Sequence, residues 1–210
     1  MKSRQLACIL GLLLLLATSC GEEKEEIDLV ARGWELFEAK DYEGALASFD
    51  EAISSGYKLA EAYLGAGWSN LLLENISDAI EACNNALDEG YSKPEDAYCA
   101  LCIAYLATLA TSTEAQKAAS YADSVLSIDP HYTFSHLTAV NYLDVHLVRA
   151  EAYLYLGDYA KVQESLDVLD PDNGLDPEDS NTWVVDGQSY NTYLEALIAE
   201  IEYVRPSVAQ

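Results

Sequence analysis

Asp41–Ile53 reads DYEGALASFDEAI, and 34 residues later the pattern returns as ISDAIEACNNAL, from Ile76 to Leu87. Ala45 and Ala79, Ala52 and Ala86, Gly33 and Gly67, and Trp34 and Trp68 all pair at that offset. A fixed period of about 20–50 residues marks a stack of similar supersecondary units, none of which buries its apolar face alone. Stacked helix pairs expose long surfaces, so the period points to recognition before any chemistry is considered.

Unit one runs from Ile27 to about Ser55, with Gly33 at a small-residue site, a turn at Asp41-Tyr42, and Ala45, Phe49 and Ala52 at helical spacing. Unit two runs from Lys58 to about Gly90, where Tyr63, Gly67, Ala79 and Ala86 take the same places and Cys83 replaces the aromatic. Gly90 is a natural helix stop. Unit three opens on Pro94, which suits a first helical turn. It continues through Tyr98, Leu101, Cys102 and Tyr105, carries about four extra residues between Thr108 and Thr113, and resumes at Ala118, Ala122 and Val125 before Pro130. His131–Asn141 is an insertion whose conformation the pattern leaves open. Unit four covers Tyr142 to about Asp170, supported by Ala150, Tyr153, Gly157-Asp158-Tyr159, Val162, Leu166 and Leu169.

Glycine, alanine and aromatic residues so placed make residues 27–170 resemble the tetratricopeptide repeat (TPR) family. The resemblance implies an all-α solenoid of about four helix-turn-helix repeats, with Gly33, Ala45, Ala52, Gly67, Ala79 and Ala86 as the small sites where paired helices meet. Residues 171–190 are rich in Pro, Asp, Asn and Gly and read as an acidic loop. Residues 191–204 (NTYLEALIAEIEYV) place Tyr193, Leu194, Leu197, Ile198, Ile201 and Val204 at helical spacing. An amphipathic helix there suits the terminal cap that repeat arrays require.

Residues 1–19 read as a signal peptide: Lys2 and Arg4 precede an apolar run, Leu6–Ala17, too short to span a bilayer, followed by small residues. Cys20 directly after Ala17-Thr18-Ser19 resembles a bacterial lipoprotein box, with Ala17 where the family usually has Leu. The resemblance implies a diacylglyceryl Cys20, cleavage before it, and durable anchoring at about 0.8 kcal/mol per buried methylene. Residues 20–26 then form an acidic tether. By the same resemblance Gly21 points away from retention at the inner membrane, which implies a bacterial envelope protein of the outer membrane, on its periplasmic or surface side.

Cleavage removes Lys2 and Arg4 from the 11 basic residues, leaving 9 against 36 acidic ones, a net charge of −27. Such a surface repels nucleic acid and anionic headgroups and favours basic partners and cations. Half of the residues are apolar and 15 are Tyr, so the chain is no disordered acidic tail.

Cys99-Ala100-Leu101-Cys102 invites a redox or metal reading, but no βαβ pattern surrounds it, and His131, His136 and His146 are not spaced as ligands. Small apolar packing residues are the alternative. In an oxidising envelope a Cys83–Cys102 or Cys83–Cys99 disulfide is feasible. Asp170, Asp172, Asp176, Glu178 and Asp179 around Asn173-Gly174 hint at a calcium loop, yet Gly174 takes a ligand slot and no Glu closes the site. No nucleophile elbow, phosphate loop or paired-carboxylate setting is visible. No catalytic residue, metal site or cofactor is therefore expected, and the chain is not expected to be an enzyme.

In the family the first helix of every unit lines the concave face. The resemblance implies that Val30, Trp34 and Phe37, then Leu64, Trp68, Leu71 and Leu72, then Ile103 and Leu106, and finally Leu147, Leu154 and Tyr155 face a groove. Family members that clamp a peptide's terminal carboxylate place Lys, Asn and Arg there, whereas these positions are apolar. The partner expected is a protein or peptide with an apolar or aromatic segment, flanked by basic residues. An internally plugged groove stands beside the open one, with Trp183-Val184-Val185 or the 131–141 insertion as plug. A carrier or receptor for a small apolar or cationic ligand, and a redox or metal protein using Cys99 and Cys102, are the other functional readings. Lipoproteins that resemble this chain include outer-membrane assembly factors, secretin pilots and adaptors of envelope hydrolases, and no motif selects among them.

Overall fold

Short polar side chains start most of the helices. Asp28 accepts hydrogen bonds from the amides of Val30 and Ala31 and opens α1 (Leu29–Glu38). Asp41 accepts from Gly44 and opens α2 (Tyr42–Ser55). Each thereby satisfies amides that the first turn would leave unpaired. Then follow α3 (Leu59–Leu72), α4 (Ile76–Asp88), α5 (Pro94–Ala107), α6 (Ser112–Ile128), α7 (Tyr142–Leu156) and α8 (Tyr159–Leu169). Reciprocal capping boxes, Thr111 with Glu114 and Asn141 with Asp144, open α6 and α7. The computed structural model describes residues 28–208, with side chains through Arg205. Residues 1–26, where a signal peptide, a lipidated Cys20 and an acidic tether are expected, lie outside the described residues.

The helices form four antiparallel pairs, and successive pairs stack so that α1, α3, α5 and α7 make an inner row, each touching the next. The architecture is the all-α, TPR-like solenoid that the 34-residue period implied. Where α1 and α3 end, Lys40 and Glu74 adopt left-handed backbone (φ 64° and 62°), again 34 residues apart, and Gly157 takes that conformation at the end of α7 (φ 75°). Unit three departs from the expected turn insertion. Its four extra residues enter mainly as one more helical turn, since α6 has 17 residues where α4 has 13.

Small residues let the pairs close. Phe49 of α2 is fully buried between Gly33 and Gly65. A Cβ on Gly33 would lie 2.5 Å from its ring, and one on Gly65 would overlap it. A Cβ on Gly67 would overlap the Cys83 sulfur and lie 3.2 Å from the Cys83 amide nitrogen. Ala45, Ala52, Ala79 and Ala86 are buried at the same seams.

Between α6 and α7 the insertion forms a small looped-back segment. The Phe134 amide donates to the Val140 carbonyl (3.0 Å) and the Tyr142 amide to the Tyr132 carbonyl (2.7 Å). Residues 171–190 are less irregular than a loop. They contain a 3-10 turn (Ser180–Thr182) and a two-residue hairpin, β1 (Val184–Val185) and β2 (Gln188–Ser189), turned by Asp186-Gly187 with both φ values positive. The terminal helix α9 (Tyr193–Val208) packs on α7 and α8 through Ala196, Leu197, Ile201 and Val204, which share a second core with Val162, Leu166, Leu175 and Val185. Arg149 of α7 is buried and ties the last pairs together, reaching Asp123 of α6 (2.6 Å) and Glu164 of α8 (2.8 Å).

Two outcomes follow from this packing. Gly67→Leu forces a side chain into sulfur and backbone, so a loss of at least about 1–3 kcal/mol is expected. In thermal unfolding that is a drop of several degrees, at about 2–4 °C per kcal/mol for a chain of this size. Glu200 is buried on α9, and burial followed by the nearby Asp170 carboxylate raises its pKa from 4.5 to about 7. The native state thus holds that proton more tightly than the unfolded chain does. Its contribution is complete below the ordinary carboxylate range and is lost as pH rises through about 7. Amide exchange in α9, corrected for intrinsic rates, should be slower near pH 5.5 than near pH 8. Glu200→Gln should shrink that difference.

Candidate binding face

The inner row gathers the predicted groove residues of the first units and covers them. Val30, Trp34, Phe37, Leu64, Trp68 and Leu71 are all buried. The 131–141 insertion lies over the aromatic ones, Trp34, Phe37 and Trp68. Phe134, fully buried, stacks on Trp68 with ring centroids 4.2 Å apart, and meets Trp34 and Phe37 edge-on at 6.1 and 6.3 Å. The His136 ring lies parallel to Trp34 at 3.8 Å, and its Nδ1 is 2.9 Å from Glu38 at the end of α1. The Tyr132 hydroxyl donates to Asp96 of α5 at 3.0 Å. The segment therefore crosses the row from α5 past α3 to α1. Tyr132 and Phe134 are buried and His136 half-buried, while His131, Thr133 and Ser135 are exposed. Residues 132–134 alternate as an extended stretch lying on a surface does, and Ser135-His136 form the turn that folds the segment back.

Trp183, the other plug considered, stays outside this face. It is near Tyr193 of α9 at 6.2 Å and donates its indole N–H to the Asp176 carbonyl. The remaining groove candidates do not extend an open surface. Leu72, Ile103 and Leu106 are half-buried against the main core, and Leu147 and Leu154 against the second core beside α9. Tyr155 is half exposed and donates its hydroxyl to the Ala110 carbonyl. An apolar groove covered from within is what the inner row presents.

The electrostatics of the face centre on Asp96. Burial raises its pKa, and the Tyr132 hydroxyl pulls the other way. Tyr91 also donates to that carboxylate (3.3 Å), and the Trp68 indole N–H donates to the Asp96 backbone carbonyl (3.2 Å). Trp34 differs: its indole nitrogen is buried and has no partner among the described residues. A buried donor left unpaired costs about 1–3 kcal/mol. His146, half-buried at the base of the segment, has its pKa lowered to about 4 by burial and then by Arg149, which keeps the ring neutral.

Cys83, Cys99 and Cys102 are free and fully buried, so neither feasible disulfide is formed. Burial pushes the Cys83 thiol up to about 12 and raises Cys99 as well, and Cys102 donates to the Cys99 carbonyl within its own helix. These are inert packing thiols. In the acidic loop Asp170, Asp176 and Asp179 accept from the amides of Asp172, Glu178 and Asn181, as turn-forming aspartates do. Among the described residues no group of three His, Cys, Asp or Glu could hold a metal, and no helix is long and apolar enough to cross a membrane.

Neither a protein-family model nor a curated protein matches the sequence. Among solved structures the chain is similar to a thermophilic TPR protein of Thermus thermophilus, at 18% identity and a TM-score of 0.51 over 86% of this chain and 95% of that one. At that identity the likeness concerns the fold, and it agrees with the stacked helix pairs described above.

Tyr132→Phe removes the shortest donor to a buried carboxylate. A loss of about 1.5–3 kcal/mol in denaturant unfolding is expected, the range for hydrogen bonds to charged groups. An unchanged midpoint would show that water replaces the hydroxyl there.

Proposed function

We propose that this protein is a lipid-anchored scaffold of a bacterial envelope that binds a protein partner through the inner row of its solenoid. One observation carries the reading: the row already holds a polypeptide segment, by aromatic stacking on Trp34 and Trp68. A face that accommodates such a segment has the spacing and chemistry of a peptide-recognition surface, and Trp and Tyr dominate binding energy at such surfaces. The fold supports a protein partner in general. The charge of −25 favours a basic one, with association that weakens as salt screens it. We assign the protein no catalytic step and no cofactor. Cys20 carries the anchor in this reading, and the outer membrane is the location proposed.

The test places a photo-crosslinking amino acid at Glu38, exposed at the rim of the inner row, and in a second variant at Glu81, exposed on α4. Crosslinking in native envelopes should give a discrete partner adduct from position 38 and none from 81. Adducts from 81 alone would overturn the inner-row reading. Cys20→Ala should move the protein from the membrane to the soluble envelope fraction. Membrane association that still requires detergent after that change would overturn the anchor.

A further inference from the structure

Residues 131–141 contain no Asp, Glu, Lys or Arg, in a chain with 36 acidic residues. Three side chains two positions apart, Tyr132, Phe134 and His136, make the segment's ring and carboxylate contacts with α1, α3 and α5. Three of its backbone hydrogen bonds stay inside it, Phe134 to Val140, Leu137 to Phe134 and Val140 to Leu137, while others join its two ends to Asp129 and to Tyr142 and Val145 of α7. The helices α1, α3 and α5 reach it through side chains, at Asp96 and Glu38 and through the two indole faces. A segment seated in this way is held as a bound peptide is held. The fit is also incomplete, because the buried Trp34 indole N–H has no acceptor among the described residues.

We propose that residues 131–141 are a tethered mimic of the partner's binding segment, and that the partner displaces them. The partner segment is extended and uncharged at its centre, with aromatic residues at alternate positions. It offers a backbone carbonyl to the Trp34 indole and carries basic residues beyond the aromatics that meet the acidic surface. Tethering makes the internal segment a competitor at high effective concentration, so it holds the face closed until a better-fitting sequence arrives. The proposal rests on the inner-row reading above. Its test needs no partner, so the two can fail separately.

The probe is a synthetic peptide of residues 130–142, added to the full chain and to a full-length variant in which residues 132–140 are replaced by a Gly-Ser stretch of equal length. Calorimetry should show binding to the variant at least about tenfold tighter than to wild type, since the tethered copy no longer competes. Trp34→Ala in the variant should weaken that binding about tenfold, as loss of a buried aromatic anchor does. Equal affinity for wild type and variant, or no binding to a folded variant, would overturn the proposal. Should the replaced chain not fold, Phe134→Ala, His136→Ala in the intact chain loosens the seat by side-chain truncation alone. That variant should stay helical and bind the peptide more tightly than wild type. Its failure to fold, or to bind more tightly, would show that the segment is a permanent part of the core and would equally overturn the proposal.

Discussion

The Phe49 ring occupies space that two absent side chains leave open, and much else follows from it. It comes from the outer helix of unit one and lies between Gly33 of α1 and Gly65 of α3. Any larger residue at either place would push the inner helices apart. Their separation fixes the distance between Trp34 and Trp68, and that distance is what one phenylalanine bridges, stacked on Trp68 and edge-on to Trp34. Close-packed interiors transmit such constraints because they do not yield locally. The glycines thus act at the binding face from the far side of the helices that form it.

Repetition is legible in a sequence because packing demands recur. Gly33 and Gly67 meet different partners, Phe49 and Cys83, yet both answer one requirement for close approach, and the period shows it. Gly65 answers the same requirement for Phe49 from the neighbouring unit, off the period, and the repeat pattern gave no reason to look there. The terminal helix was legible from its apolar spacing, although it starts two residues later and runs further than that spacing suggested. Val184-Val185 and Gln188-Ser189 flank Asp186-Gly187, a strong signal for a two-residue hairpin that reading the region as acidic loop passed over.

The face itself was half legible. Its lining came from the first helices of the repeats, which the family resemblance placed on the inner side. Its covering could not come from periodicity, because residues 131–141 owe their conformation to contacts with helices up to 98 positions away in sequence. One local trace existed. Tyr132, Phe134 and His136 alternate with Thr133 and Ser135, a period of two inside a chain that otherwise runs at the helical period. That alternation marks a stretch with one face to bury, and the inner row is a large apolar surface that such a stretch can cover.

Charge and cover act together at this surface. An open face of two tryptophans with Phe37, Leu64 and Leu71 would be a contiguous apolar patch, an aggregation hazard for a monomer unless it is occupied. Acidic side chains cannot protect it, since a carboxylate buried against indole would lose its hydration. An uncharged internal segment can. Phe134 and His136 shield the two indoles, and the net charge around the segment keeps copies of the chain apart. Under the displacement proposed above, the same arrangement would set a threshold for a partner. It would have to bring enough complementary aromatic surface to outdo a competitor that never diffuses away, while the acidic surroundings would raise the local concentration of basic sequences alone. Selectivity would then arise from two filters of different range, a long-range electrostatic one and a contact-range aromatic one, and a sequence that satisfied only one of them would leave the face closed.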